Sequence, residues 1–337
     1  PFATLFTGMI FANLFYWCTN QYVIQRTLAA KNLSEGQKGV LFSGFFKVLV
    51  PFMMMLPGVI AYHLYGGVGE PGGLASIDLA YPRLIRDVLP VEATGFFLAV
   101  LLGAVFSSFN SLLNSAATLF CLDVYLPYKE SRGIAVVDDA LLLKVAKRAS
   151  IVIALFSFVV APLLQFAADG LWQVIRVFTG FYNIPIIAVV IVGLFTRHVP
   201  ALGPKLVIGF HVIAYGLLQF VFKQAVDIHF LHLYAILFVV EVSILLAVGH
   251  LYPRAELWSY STTHKVDMQP WRYAVPCAAT LMSCVVALYL LFSPIGLVGG
   301  LSDLFWPLIF TLVALNVLLW WRYIMNNAET ATNPESF

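Results

Sequence analysis

Charge is what this sequence has least of: Asp, Glu, Lys and Arg make up 11 % of the chain, against 61 % hydrophobic residues, where soluble domains carry about 25 % charged residues. That scarcity excludes a soluble globular domain and makes lipid the solvent for most of the chain. The few charges are balanced, 19 Lys and Arg against 17 Asp and Glu, so there is no basic stripe to follow nucleic-acid phosphates. Cysteine is sparse as well. Cys18, Cys121, Cys277 and Cys284 lie in apolar stretches without CxxC or Cys/His spacing, which excludes a disulfide framework and a zinc site and leaves them as small packing residues. The ten-residue alternating segments of a membrane β-barrel are missing, and so is any short-period repeat. The chain starts at Pro1 with no initiator Met, basic leader or cleavage pattern, and native sequence is expected upstream.

What is present is a series of long apolar runs. Nine are of membrane-crossing length, at about 3–24, 39–65, 93–122, 146–167, 173–195, 204–223, 230–250, 273–293 and 304–325, since a helix needs roughly 20 residues to cross a bilayer. All are expected to be helices, because open backbone cannot sit in hydrocarbon; the fold class is an all-α, multi-span helical bundle. One set of loops holds fourteen of the 19 Lys and Arg, while the opposite set holds Arg83, Arg86 and Lys223. The positive-inside rule makes the richer side cytoplasmic, which puts Pro1 outside and Phe337 inside. Residues 66–91 begin rich in glycine and then offer Leu79, Leu84, Ile85 and Val88 beside Arg83, Arg86 and Asp87, a pattern that predicts a short amphipathic helix on the outer interface. Residues 251–272 read as a polar cytoplasmic linker.

Polar residues inside these runs carry the functional reading. In NLFYWCTNQY, Asn13, Tyr16, Trp17 and Asn20 fall at i, i+3, i+4 and i+7, on one helical face. Interfacial belts supply aromatic residues but do not require amides beside them. An aromatic ring with neighbouring amides suits a sugar, the ring stacking on its apolar face and the amides binding hydroxyls. Lys47 lies in LFSGFFKVLVPFMMMLPG, where an ammonium costs roughly 2.5–3.5 kcal/mol on insertion scales and marks a functional position. Snorkelling towards Lys38 would have to cover about 13 Å of helix. In GAVFSSFNSLLNSAAT, Ala104, Ser108, Ser111 and Ser115 form one stripe flanked by Ser107 and Asn114. Two readings stand for it: helix-packing glue, or a neutral oxygen cage for a hard monovalent cation. Arg176 lies near the start of GLWQVIRVFTGFYNIP, where it either snorkels outward or faces a solute. Glu241 is a further buried-charge candidate whose partner is His211 or a neighbouring helix, and no function is assigned to it.

Residues 13–39, 47–62 and 104–125 closely resemble the sodium/solute symporter family, above all its sodium/sugar cotransporter branch, and the resemblance covers roughly residues 1–296. It implies a LeuT-like fold of two inverted five-helix repeats around a site near mid-membrane. Residues 1–195 would then be the second five-helix repeat, and 196–337 four accessory helices with a short cytoplasmic tail. Carried over by position, the resemblance assigns solute contacts to Asn13 and Lys47 and an inner aromatic gate to Tyr16, with Trp17 beside it. It assigns sodium to the Ala104 carbonyl and the hydroxyls of Ser107 and Ser108; Ser111 matches a position some members use for a second sodium ion. The chain departs from the sugar members at Arg176, where they carry Gln, and in a blurred signature around His198 and Pro204.

The expected activity is sodium-coupled symport of a sugar or sugar-like solute in a multi-pass protein of a bacterial plasma or inner membrane, with sodium as coupling ion and no other cofactor. The partners implied are sodium, the solute, the bilayer and the N-terminal half of the same transporter, which supplies the remaining ligands; nucleic acid is not among them. Arg176 leaves open an anionic sugar or sugar acid, or inositol, while the Asn13, Tyr16 and Trp17 set favours a neutral sugar. A membrane sensor would need a signalling domain, yet only NNAETATNPESF follows the last run. An enzyme would need a carboxylate pair or a nucleophile set that the runs do not offer.

Overall fold

The computed structural model of the chain describes residues 2–133, 138–166, 171–223, 225–226, 228–259 and 266–332; Pro1, Lys265, part of the expected cytoplasmic linker (260–265) and residues 333–337 lie outside the described residues. In chain order the helices are α1 Gly8–Cys18, α2 Gln21–Leu28, α3 Leu33–Val50, α4 Leu56–Tyr65, α5 Ala80–Val88, α6 Val91–Leu119, α7 Leu126–Ser131, α8 Asp139–Val160, α9 Leu171–Phe195, α10 Leu202–Gly216, α11 Phe230–Leu251, α12 Ala274–Leu291 and α13 Phe305–Thr332. Eight helical stretches among the described residues are long and apolar enough to cross a membrane, the first being α3 and α4 as one rod, Leu33–Tyr65. They coincide with the last eight of the nine expected runs. The protein is an integral, multi-pass, all-α membrane protein.

The first run differs from its expectation. Residues 3–24 do not form one helix: a 3₁₀ turn at Phe2–Phe6 leads into the eleven residues of α1, and the chain breaks at Thr19 and Asn20 before α2 begins. Both Thr19 N–H and Asn20 N–H turn back to the Phe15 carbonyl, and the Asn20 carbonyl accepts from Val23 and Ile24 to start the next helix. Asn20 therefore sits in the break and not on the α1 face with Asn13, Tyr16 and Trp17. Side chains that hydrogen-bond to nearby backbone compete with helix continuation, and Thr19 does so, its hydroxyl donating to the Phe15 carbonyl at 2.9 Å.

The chain divides into two compact units. In the first, Pro1–Arg26 with Ala75–Thr262, α9, α10 and α11 pack against one another and α1 lies on α9 and α11. Gly8, Ala12 and Phe15, at i, i+4 and i+7, form the buried face of α1. Glycine is required at the first of these, because a β-carbon on Gly8 would collide with the Leu231 carbonyl of α11. Ala12, Val177, Ile184, Tyr215, Phe230, Tyr234 and Leu237 make one apolar cluster, and Ala188, Val192, Val207 and Leu245 make a second. In the same unit α6 packs on α8, and the amphipathic helix expected in the outer loop is α5, with Ala80 and Leu84 buried.

The second unit, Thr27–Leu74 with Thr263–Phe337, joins α3, α4, α12 and α13. Asn32 caps α3, its side chain accepting from Glu35 N–H at 2.9 Å, as expected of Asn at an N-cap. Polar side chains hold α12 to α13: Trp320 Nε1 donates to Thr280 Oγ1 at 2.9 Å, Thr280 Oγ1 donates to Asn316 Oδ1 at 2.8 Å, and Asn316 donates to Ser283 Oγ. Where lipid is as apolar as leucine, such bonds specify which helices associate. Between α3 and α4 the chain passes through a π turn at Pro51–Met55, because Pro51 has no N–H to offer the carbonyl four residues earlier. That carbonyl is the one of Lys47.

Candidate functional site

The broken helix of the first unit positions the candidate site. Burial of Gly8, Ala12 and Phe15 turns the opposite face of α1 outward, so Asn13 and Trp17 are exposed and Tyr16 is half-buried. Phe15 meets Tyr182 of α9 edge-on at 5.7 Å between ring centroids. Tyr16 stands edge-on to Trp17 at 5.5 Å and to Tyr22 at 5.8 Å. Its hydroxyl shares a 2.6 Å hydrogen bond with the Tyr22 hydroxyl, so the pair spans the break between α1 and α2.

Beyond the break, α2 is tied to the serine stripe of α6. Arg26 donates to Ser111 Oγ, Gln25 Nε2 reaches the Ser111 carbonyl at 3.4 Å, and Asn114 Nδ2 donates to Gln25 Oε1 at 3.2 Å. Ser111 Oγ in turn donates to the Ser107 carbonyl at 2.9 Å. The Ser111 oxygen is thereby committed, and the guanidinium beside it opposes a cation there. Ala104, Ser107 and Ser108 occupy the next turn of α6, all exposed, with one carbonyl and two hydroxyls as neutral oxygens for a hard monovalent ion. In this stripe Ser111 and Ser115 are the buried packing members.

Arg176 is half-buried on α9, with its guanidinium over the Trp172 ring at 4.4 Å. Its backbone is held from outside the helix, the carbonyl accepting from the Tyr234 hydroxyl. Beside this stretch a cavity of about 570 Å³ is lined by residues that include Gln173, Val177, Lys223, His229 and His232. Burial pushes the His229 imidazole below its ordinary pKa, which keeps it neutral near pH 7, with Nδ1 accepting from Leu231 N–H at 3.3 Å. Lys47 belongs to the second unit, exposed one turn before the π turn.

The structure thus brings Asn13, Tyr16 and Trp17 together on α1 and links that helix to α9 through Phe15 and Tyr182, and, through α2, to the stripe of α6. Sequence reasoning missed Tyr22, Gln25 and Arg26. The signal was a polar QYVIQR stretch straddling the end of a run expected to be one helix; the α6 partners of Gln25 and Arg26, more than eighty positions away, carry no mark in a single sequence. The pairing left open for Glu241 is settled, since His211 Nδ1 meets Glu241 Oε1 with both side chains fully buried.

A sequence profile of the sodium:solute symporter family matches residues 2–204. The chain is 38 % identical over 303 residues to the uncharacterized symporter YidK of Escherichia coli (strain K12), an alignment covering 90 % of this chain and 49 % of that protein. It is 38 % identical over 212 residues to the sodium/glucose cotransporter of Vibrio parahaemolyticus, covering 60 % of this chain and 38 % of that protein. It is 31 % identical over 214 residues to the sodium/myo-inositol cotransporter 2 of Sus scrofa, covering 58 % and 30 %. The chain spans about half the length of YidK, and less of the other two. Its membrane helices, its broken first helix and this match over more than half its length place the chain in the sodium:solute symporter family.

Proposed function

We propose that the full-length protein carries out sodium-coupled symport of a neutral sugar or a polyol of inositol type, with residues 1–195 as the second inverted repeat and 196–337 as accessory helices. Asn13 binds solute hydroxyls, Trp17 offers its ring to the solute, and Tyr16 closes the path on the cytoplasmic side. Sodium is held by the Ala104 carbonyl and the Ser107 and Ser108 hydroxyls, with ligands from the other repeat completing its shell. The orientation that supports this places the Lys- and Arg-rich loops, and the C-terminus, in the cytoplasm of a bacterial cell. Transport, not catalysis, is the activity.

The observation that carries this reading is the break at Thr19 and Asn20. One short segment presents the solute-facing set on α1 and, through Gln25 and Arg26, grips the α6 stripe that holds the sodium oxygens. Discontinuous helices of this kind bind solute and ion in inverted-repeat transporters, and a shared element gives the two sites a route to coupling. Uptake of labelled D-glucose, D-galactose and myo-inositol by the full-length protein in liposomes tests it. Accumulation of at least one probe that collapses without a sodium gradient supports symport, and uptake of every probe indifferent to sodium refutes it.

A second reading is favoured by Arg176. Its guanidinium lies over Trp172 and forms no ion pair among the described residues, which leaves its charge for a carboxylate or sulfonate on an anionic sugar.

A further inference from the structure

The transport reading leaves His211 and Glu241 unused, and both side chains are fully buried. They lie between the two apolar clusters of the first unit. On α10, His211 falls between Val207 and Tyr215; on α11, Glu241 falls between Leu237 and Leu245. Isolated charge at such a place is costly, so buried ionisable groups are paired or neutral.

The hydrogen bonds count the protons. His211 Nε2 lies 3.1 Å from the Gly180 carbonyl of α9. A carbonyl can only accept, so Nε2 carries hydrogen. Nδ1 meets Glu241 Oε1, and this contact needs one further hydrogen, on Nδ1 if the pair is imidazolium and carboxylate, or on Oε1 if both are neutral. A neutral imidazole facing an ionised carboxylate would set lone pair against lone pair. In either allowed form the pair is neutral overall and holds one proton more than a neutral histidine beside an ionised glutamate. Losing that proton leaves a net negative charge between two apolar clusters. The imidazole can then satisfy the carboxylate only by keeping its remaining hydrogen on Nδ1, which strips Nε2 and releases the Gly180 carbonyl.

Gly180 lies one turn beyond Arg176, in a stretch held from outside at three carbonyls. Tyr234 donates to the Arg176 carbonyl, Tyr215 donates to the Val177 carbonyl at 3.1 Å, and His211 donates to that of Gly180. Pro185 further along α9 withholds an N–H from the Phe181 carbonyl, which weakens the helix's own hold on this segment. We propose that His211 and Glu241 form a proton-binding site that clamps α9 through the Gly180 carbonyl and so positions Arg176 for solute. The part concerning solute rests on the reading of Arg176 as a solute-facing residue; the proton count does not. The other titratable or charged side chains on the packed elements are Tyr215, stacked on the imidazole at 5.4 Å, Tyr234, tilted against Tyr215 at 5.8 Å, Arg176 and Tyr182 on α9, and Tyr16 and Cys18 on α1. Lys205, His232 and His250 stand towards the helix ends.

The test compares the full-length wild type with Glu241→Gln, whose amide can donate to Nδ1 without holding a titratable proton. In liposomes with a sodium gradient, KM and maximal rate for each transported probe among D-glucose, D-galactose, myo-inositol and D-glucuronate are measured across pH. The wild-type KM should rise about two- to tenfold towards alkaline pH, the range one net hydrogen bond commands, while the KM of Glu241→Gln stays flat. The melting temperature of both proteins in detergent is followed over the same pH range, and only the wild type should lose stability at the alkaline end. Superimposable pH profiles of the two proteins in KM and in melting overturn the proton site. A wild type that melts as expected but shows no sodium-driven uptake of any probe overturns the symport reading and leaves the proton site standing. Alkaline loss in melting without a change in KM overturns the link to Arg176.

Discussion

Tyr16 is the residue where hydroxyl and ring have separable roles. Its hydroxyl shares a 2.6 Å bond with Tyr22, and its ring meets Trp17 and Tyr22 edge-on. Tyr16→Phe removes only the hydroxyl bond, a net loss of about 0.5–1.5 kcal/mol. Tyr22 is partly exposed and its hydroxyl can turn to water, so the lower end of that range applies and transport should persist. Tyr16→Ala also removes two aromatic pairs at about 0.5–1.5 kcal/mol each, so the closed position loses roughly 1.5–4.5 kcal/mol in all, or about tenfold to a thousandfold in population. If Tyr16 closes the cytoplasmic path, the alanine variant should leak solute down its gradient without sodium while the phenylalanine variant stays coupled. The assay is efflux of preloaded probe from liposomes, with and without sodium, beside sodium-driven uptake. Equal loss of transport in both variants would refute a gate made by the ring and would move the function to the hydroxyl pair with Tyr22.

Three further outcomes follow. Ser108→Ala should raise the sodium concentration for half-maximal uptake by roughly tenfold, the cost of losing one uncharged ligand to a charged group at about 1.5 kcal/mol, with unchanged melting; an unchanged sodium dependence would return the stripe to packing. Arg176→Gln should abolish any preference for glucuronate over glucose or galacturonate over galactose in competition assays, and a preference that survives it ends the anionic reading. Gly8→Ala should lower the melting temperature or prevent folding, since its β-carbon meets the Leu231 backbone carbonyl and not a flexible side chain; unaltered melting would show that α1 does not pack as described.

Most of the fold was legible because lipid imposes one strong requirement, a long apolar helix for each crossing. Eight of the nine runs met it. The run from 3 to 24 failed for a local reason: the Thr19 hydroxyl offers the backbone an alternative bond, and hydropathy does not register a two-residue break in an apolar stretch. Candidate positions stood out in the sequence where residue type contradicts environment, as at Asn13, Lys47 and Glu241. Arg26 escaped notice because it reads as one more basic residue of a cytoplasmic loop, whereas its guanidinium is spent on Ser111. Helical spacing grouped Ser108, Ser111 and Ser115 into one stripe, and only the packing of α2 and neighbouring helices separates the buried pair from exposed Ser108. Which carbonyls of α9 are gripped by Tyr234, Tyr215 and His211 depends on three-helix packing that no periodicity encodes.

The central claim is that solute held at α1 and sodium held at α6 move together. It is tested most directly by radiolabelled sodium uptake into liposomes holding the full-length protein, with no sodium gradient and with an inward gradient of the transported sugar or polyol. The account predicts that solute drives sodium inward in the wild type and that Ser107→Ala combined with Ser108→Ala abolishes this while solute binding survives. Sodium flux that ignores the solute gradient in the wild type would contradict it.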